Sequence, residues 1–324
     1  MARLTSVVIM SIGVALPAGD SGSAANLVDE LVTQTRQAAE AGLSSVWFSQ
    51  QFNHDAITLA ALAGREVPGI EVGTAVVPTY PRHPLLVSSL AQTARAATGG
   101  RFTLGLGLGS KPFLSPIYGV EYPPPIRHLR EYLTTLRRVF AGELFEFEGE
   151  TVTANVAVPA TVAGGEDVPI IVAAMGPQAL RVTGELADGT LPFLAGPRAL
   201  SEQIVPVLTR AAESAGRPAP RVIAAVPAVV TDDVEAVRSL AVEQMAFFGD
   251  IPSYRKVLDA EGAGHPADLA LIGDENVVAA GIRRYFDAGA TDVVLTQTAI
   301  RSSAERLRTW QVSAEAVGQG RRDR

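Results

Sequence analysis

The 324-residue chain contains no cysteine, which excludes disulfides, thiolate nucleophiles and cysteine-based metal sites while leaving its compartment open. Histidine is scarce too. The four present (His54, His83, His128 and His265) are scattered, and none pairs at i, i+4 with a carboxylate between, so no metal site is expected. Positive charge is in deficit: a net charge of -7 argues against nucleic acid as the main partner, because phosphate backbones need a basic face. No apolar run reaches the roughly 20 residues that span a bilayer, so no membrane partner is expected. Nor is there a G-x-S-x-G elbow to carry a serine nucleophile.

What is present supports one large core. Hydrophobic residues make up 47% and charged residues 19%, and residues 1–324 read as a single domain although the length would allow two. Arg3 followed by the apolar run Leu4–Ala18 has the look of a secretory leader. The alternative is a buried first strand, Ser6–Ile12, with a loop over Gly19–Ala25. The strand is preferred because the alternation downstream lacks one strand without it, and a cytoplasmic enzyme is the default. Gly19-Asp20-Ser21-Gly22 echoes the nucleophile loop of trypsin-like proteases, but no His or Asp precedes it and the chain is not all-β, so it reads as a loop.

Strand and helix patterns then alternate. Asn26 is placed to cap a helix through Ala41, Ser45–Ser49 reads as strand two, and Asp55 or Asn53 caps a helix ending near Arg65. Glu71–Val77 is strand three, Leu85–Ala97 its helix and Phe102–Gly107 strand four. The beat pauses at Lys111–Pro125, where five prolines exclude helix interior; the segment is either a lid or an ornamental excursion. A helix over Ile126–Phe140 and a hairpin over Phe145–Val158, turning near Gly149, precede strand five at Pro169–Ala173. Strands six, seven and eight are Thr190–Leu194, Val222–Val230 and Asp292–Thr296. Between them fall helices through Ala187, over Leu200–Ala215, after a cap at Thr231 or Asp232, and from Asp274 to Ala288. A last helix runs from Ser303 to about Val317, and the tail Arg321–Arg324 is expected to fray. Eight strands alternating with helices predict a single-domain α/β (β/α)8 TIM barrel with insertions after strand four and before strand five. An open doubly wound sheet is the alternative.

The stretch Glu71–Ser110 organises the rest: strand, loop, helix, strand, ending in Gly105-Leu106-Gly107-Leu108-Gly109. Glycines at the C-terminal end of a parallel strand let a flat or phosphorylated ligand lie against backbone. They are not a dinucleotide fingerprint, since no helix follows directly in the required spacing. A second glycine turn, Ala173-Ala174-Met175-Gly176-Pro177, leads a strand straight into a helix. Such a helix N-terminus suits a phosphate; the alternative is an ordinary tight turn.

The order of S-V-W-F-S-Q-Q-F, G-T-A-V-V-P-T-Y-P-R-H-P, G-G-R-F-T-L-G-L-G-L-G-S and V-A-A-M-G-P…E-L-A-D-G-T resembles the bacterial luciferase-like superfamily, most nearly its branch using the deazaflavin coenzyme F420. The resemblance runs over most of the chain. It implies a non-proline cis peptide at Ala75–Val76 behind the ring. It further implies cofactor contacts from Ser11, Gln50, Ala75, Val76, Val77, Gly107, Leu108, Gly109, Ser110, Ala174, Met175, Gly176 and Pro177. A basic rim of Lys111, Arg127 and Arg181 would meet the carboxylates of the cofactor tail.

The departures narrow the chemistry. In the family's sugar-phosphate dehydrogenases strand two ends in Asp-His and a glutamate follows the glycine strand; this chain has Gln50-Gln51 and Ser110 there. Glutamine has no titratable proton near neutral pH, so sugar-phosphate dehydrogenation is not expected. The resemblance implies instead an F420-dependent oxidoreductase moving hydride to or from an unassigned small organic substrate. Gln50, Gln51 and Ser110 would orient the reactants, and water, Ser110, Tyr80 or a backbone group would supply the proton. An FMN-dependent monooxygenase is the alternative, a barrel without turnover is another, and a homodimer follows by family analogy.

Overall fold

In the computed structural model, which describes residues 10–17 and 24–320, strand β1 spans Ser11–Leu16. It begins later than the expected Ser6–Ile12. Residues 6–9 of that expectation, the Gly19–Gly22 loop and the tail 321–324 lie outside the described residues. Helix α1 (Leu27–Glu40) is capped by Asn26, whose side chain accepts from the N–H groups of Val28 and Asp29. β2 (Ser45–Phe48) leads to α2 (Ala56–Glu66), capped by Asp55. The single strand expected over Glu71–Val77 is broken into β3 (Glu71–Thr74) and β4 (Val77–Pro78). α3 (Pro84–Ala97) and β5 (Phe102–Gly107) follow.

The proline-rich segment corrects the sequence expectation. It folds as α4 (Lys111–Tyr118), with Pro112 in the first turn and Pro116 inside. Proline in a first turn gives up an N–H that has no intrahelical partner anyway, and in so short a helix Pro116 costs only one further bond. α5 (Pro125–Phe140) and the antiparallel hairpin β6 (Phe145–Glu148) and β7 (Thr153–Val156) come next, and the Gly149 N–H closes the turn on the Val152 carbonyl at 2.9 Å. β8 (Ile170–Val172), α6 (Pro177–Leu186) and β9 (Gly189–Thr190) resume the beat. Strand six is shorter than Thr190–Leu194, continued only by a bridge between Phe193 and Ala225. α7 (Pro197–Ala199), a π turn over Leu200–Ile204 and α8 (Val205–Ser214) occupy the one helix expected there. β10 (Arg221–Val230), α9 (Val234–Gly249) and α10 (Pro252–Glu261) follow, with Asp233 rather than Thr231 or Asp232 as the α9 cap. β11 (Leu271–Gly273) was not expected. α11 (Glu275–Asp287), capped by Asp274, β12 (Asp292–Thr296) and α12 (Ser303–Gly320) complete the chain.

All barrel pairings are parallel and run β12-β1-β2-β3-β5-β8-β9-β10, where β10 returns to β12 and closes a ring of eight strands. β4 carries on the place of β3 beside β5, and β11 pairs off the ring with Ala228–Val230 of β10. This is the (β/α)8 TIM barrel. Strand alternation sorts the core into two zones: Val46 and Phe48 pack outward among the helices, while Trp47 points into the lumen with Ile171, Leu191, Ile223 and Val294. The N-terminal end is tied by Arg221, which donates to Glu71 at 2.8 Å and to Asp292 at 2.7 Å. That network joins the starts of three strands and leaves the opposite end free for chemistry.

Candidate functional site at the C-terminal end of the barrel

The lumen plug is topped by Ala15, Ala75 and Phe193, which form the floor of the C-terminal face. Beside it the break between β3 and β4 contains the cis peptide Ala75–Val76, at the bond the resemblance implied. The glycines of β5 are explained first by this break. A Cβ on Gly105 would collide with the Thr74 carbonyl oxygen, and one on Gly107 would come within 2.6 Å of Val76 Cγ2. The Thr74 hydroxyl donates to the Gly105 carbonyl at 2.8 Å and accepts from its N–H at 2.9 Å, replacing the ladder bonds the bulge removes. Gly109 has φ +69, a left-handed conformation, and packs under Leu114 of α4. These glycines therefore let the backbone of β5 accept its neighbours closely.

Gln50 and Gln51 part company. The Gln50 amide is committed to backbone: its Nε2 donates to the carbonyls of Gln51 (2.7 Å) and His54 (2.6 Å), and its Oε1 accepts from Ala56 N–H at 3.1 Å. Gln50 thus shapes the β2–α2 loop, and it is the exposed Gln51 beside it that faces outward. Ser110 is the N-cap residue of α4 but makes no side-chain capping bond, so its hydroxyl is not spent on the helix. The neighbouring loop is held by Arg82, paired with Asp55 at 2.7 Å, and by His83, whose Nδ1 accepts from Leu85 N–H at 3.2 Å. Burial works to raise the Asp55 pKa, but the Thr58 N–H, Arg82 and the Thr58 hydroxyl outweigh it and hold the carboxyl below its usual range.

The turn from β8 into α6 is held by Thr190. Its hydroxyl lies 2.9 Å from the carbonyls of both Val172 and Ala174 and accepts from the Ala174 N–H at 3.3 Å. Beyond it Gly176 caps α6 with no side-chain bond, and a Cβ there would meet nothing within 4 Å. The result is an uncapped helix N-terminus facing open space. Of the expected basic rim, Arg127 is paired with Glu150, and Arg181 lies on the outside of the barrel. There it lines a groove of about 560 Å³ between α6 and α8 with Glu185 and Arg210. Lys111, at the start of α4, is the rim cation nearest the glycine strand.

Ser11 does not join the group. It begins β1, opposite Asp292 at the start of β12, and its hydroxyl bonds Ser44 Oγ at 2.7 Å, so it sits at the N-terminal end of the barrel. The end of β1 at the site is Leu16. Of the residues flanking the site, Tyr122 escapes a reading of the sequence, and Tyr80 takes a packing position the sequence does not show. The Tyr122 hydroxyl donates to the Leu108 carbonyl at 3.0 Å and latches the segment before α5 onto the end of the glycine strand. Tyr80 packs edge-on between Tyr122 and the buried His128, at 6.1 and 5.7 Å between ring centroids. Asp188 of the E-L-A-D-G-T block is structural: it accepts from the Ile170 N–H and from Arg137 and Arg217. Among the described residues no cluster of His, Asp or Glu could hold a metal ion, and no helix is long and apolar enough to cross a membrane.

The profile of the luciferase-like monooxygenase family matches residues 10–308. The chain belongs to that family. Among curated proteins it is 26% identical over 303 residues to a 5,10-methylenetetrahydromethanopterin reductase of Methanopyrus kandleri, covering 80% of this chain and 86% of the relative. Among solved structures it superposes on the coenzyme F420-dependent tetrahydromethanopterin reductase of the same organism with a TM-score of 0.80, 21% identity and 96% and 99% coverage. It superposes on the FMN complex of the oxygenating constituent of 3,6-diketocamphane monooxygenase from Pseudomonas putida with a TM-score of 0.77, 18% identity and 96% and 98% coverage. At these identities the two superpositions establish the shared barrel.

Proposed function

We propose that the protein is an F420-dependent oxidoreductase moving hydride between the deazaflavin and a small organic substrate, in the reductase direction. The observation that carries this reading is the pairing of a ligand-ready backbone with Gln51 and Ser110, rather than titratable side chains, at the ends of β2 and β5. The α6 N-terminus is uncapped and open at Gly176, while the ends of β2 and β5 offer Gln51 and Ser110. Such a face can hold and orient a cofactor that brings its own reactivity. The cofactor fits the chain where a phosphate group can meet the backbone of Met175, Gly176 and Pro177 at the helix N-terminus, with Ala174 fixed behind it by Thr190. Ala75, Val76 and Val77 would back the ring, and Gly107, Leu108 and Gly109 would border it. When bound, the deazaflavin supplies a carbon that gives or takes hydride. Gln51 would orient the substrate, Gln50 would keep the β2–α2 loop in place, and the Ser110 hydroxyl, free of any capping bond, would pass a proton. Lys111 would meet the anionic tail.

The coenzyme F420 in the name of the Methanopyrus kandleri reductase supports the choice of cofactor. The second reading, an FMN-dependent monooxygenase, draws on the likeness to the diketocamphane enzyme. We also infer a homodimer, because Leu62 of α2 and Leu86 and Leu90 of α3 are exposed on two helices packed side by side, and take the cytoplasm as the default setting of such an enzyme. Titration of the purified protein with F420 and with FMN, followed by tryptophan quenching, tests the cofactor. Saturable F420 binding is expected, and tight FMN binding with none of F420 overturns the proposal. Turnover and cofactor binding that survive both Gln51→Ala and Ser110→Ala would remove these residues from the site.

A further inference from the structure

Three large apolar side chains stand out of the protein beside this face: Phe52 is 70% exposed, Ile117 51% and Tyr118 43%. Phe52 belongs to the loop after β2 and the other two to α4 after β5, yet the rings of Phe52 and Tyr118 approach to 6.2 Å. β2 and β5 are not neighbours; β3 lies between them. The two rings therefore meet above the end of the broken strand β3–β4, as an arch whose feet are Gln51 on one side and Ser110 on the other. Solvated aromatic rings in contact over a binding face are surface that an apolar ligand removes from water.

Charge argues the same way. Arg82 is tied to Asp55 and Arg127 to Glu150, which leaves Lys111 and Glu121, of opposite sign, as the only charged residues without an ion pair among the described residues 49–55, 79–83 and 108–127. Around the barrel mouth from the arch, Phe193 at the lumen top packs against Phe248 at 5.1 Å and Tyr254 at 5.8 Å, a second aromatic group that is half-buried against the core around Val229 and Met245. With Lys111 assigned to the cofactor tail and Glu121 of the wrong sign, an anionic substrate would give up its hydration here for no counter-charge, whereas a flat neutral one exchanges water for rings.

We propose that the site takes an uncharged substrate with an aromatic or flat apolar body, seated under the Phe52–Tyr118 arch. The placement rests on the reading of this face as the oxidoreductase site. The test uses the full chain with F420 added and the neutral dye N-phenyl-1-naphthylamine as probe. Saturable binding of the dye is expected, with displacement by 4-methylbenzaldehyde but not by the same concentration of 4-methylbenzoate. The double substitution F52A/Y118A should raise the dye dissociation constant at least tenfold, and Ile117→Ser should raise it severalfold, with circular dichroism and F420 affinity unchanged. Equal displacement by the carboxylate, or unaltered dye binding in both variants, overturns the proposal. So does a change in mass by light scattering in F52A/Y118A, which would make the arch a contact between copies. Dye binding as expected in a protein that binds no F420 leaves the arch in place and removes the cofactor assignment instead.

Discussion

Gly105 has no room for a Cβ because the carbonyl oxygen of Thr74 occupies that space, and the Thr74 hydroxyl holds both backbone groups of Gly105. The bulge that carries Ala75–Val76 is thus locked to β5 by one side chain and one missing side chain. Gly105→Ala is expected to push β3 away from β5 and to cost about 1–3 kcal/mol, as overpacking in a core does. Thr74→Val keeps the shape but leaves a buried N–H without its acceptor, at about 1–3 kcal/mol. Urea unfolding of the two variants measures both, and equal stability in Gly105→Ala would show that the strands separate freely.

Thr190 acts two strand pairs further round, between β9 and the end of β8. Its hydroxyl fixes the carbonyls of Val172 and Ala174 directly before the open N-terminus of α6. Thr190→Val is nearly isosteric, so the barrel should persist while the turn loosens. Cofactor affinity is expected to fall about five- to tenfold, equivalent to roughly 1 kcal/mol, read by titration against the parent protein. An unchanged dissociation constant would mean that the turn needs no such anchor.

The alternation of strands and helices was legible because each barrel strand is a short apolar run bounded by glycine, proline or a capping residue. Where punctuation is missing, position was lost. In the run Leu4–Ala18 the one glycine, Gly13, falls inside β1 and the one proline, Pro17, comes after it, so nothing marks the strand's start; β1 was expected too early and Ser11 was carried to the wrong end of the barrel. Proline count hid α4, because composition does not distinguish proline in a first turn from proline in a helix interior. The glycines of β5 marked the correct stretch, but their neighbours Thr74 and Val76 lie on another strand, so the contacts that require glycine could not be read locally. Tyr122, His128 and Thr190 were invisible for the same reason: each acts on groups remote in sequence.

The opposite end of the barrel supplies a control on stability alone. Arg221 bridges Glu71 and Asp292, and the Asp292 side chain is only 8% exposed. Burial works to lower the Arg221 pKa, but Asp292 and Glu71 outweigh it and raise it. Arg221→Met leaves a buried carboxylate without its partner and is expected to cost about 2–4 kcal/mol. Cofactor affinity should be unaffected, since none of the three residues reaches the C-terminal face. A variant that loses affinity at unchanged stability would place the network in the site.

His128 introduces a pH dependence of stability with a definite sign. The residue is 5% exposed, with Nδ1 3.2 Å from Thr151 Oγ1, and the Thr151 hydroxyl is already donated to Glu131 at 2.7 Å. Burial pushes the His128 pKa down, the Thr79 carbonyl and Glu131 push it up, and the net shift is downward from 6.5. Between the folded value and 6.5 the unfolded chain binds more protons than the native one. Stability therefore rises with pH across that window: the contribution is complete above the unfolded value and is lost as pH falls toward the folded one. His128→Gln removes the titrating group while every other one is shared, so the difference between the two curves of melting temperature against pH isolates this residue. The parent protein should lose more on going from about pH 7.5 to about pH 5.5 than the variant does. Parallel curves would mean that His128 titrates alike in both states and that its burial carries no penalty for the charged form.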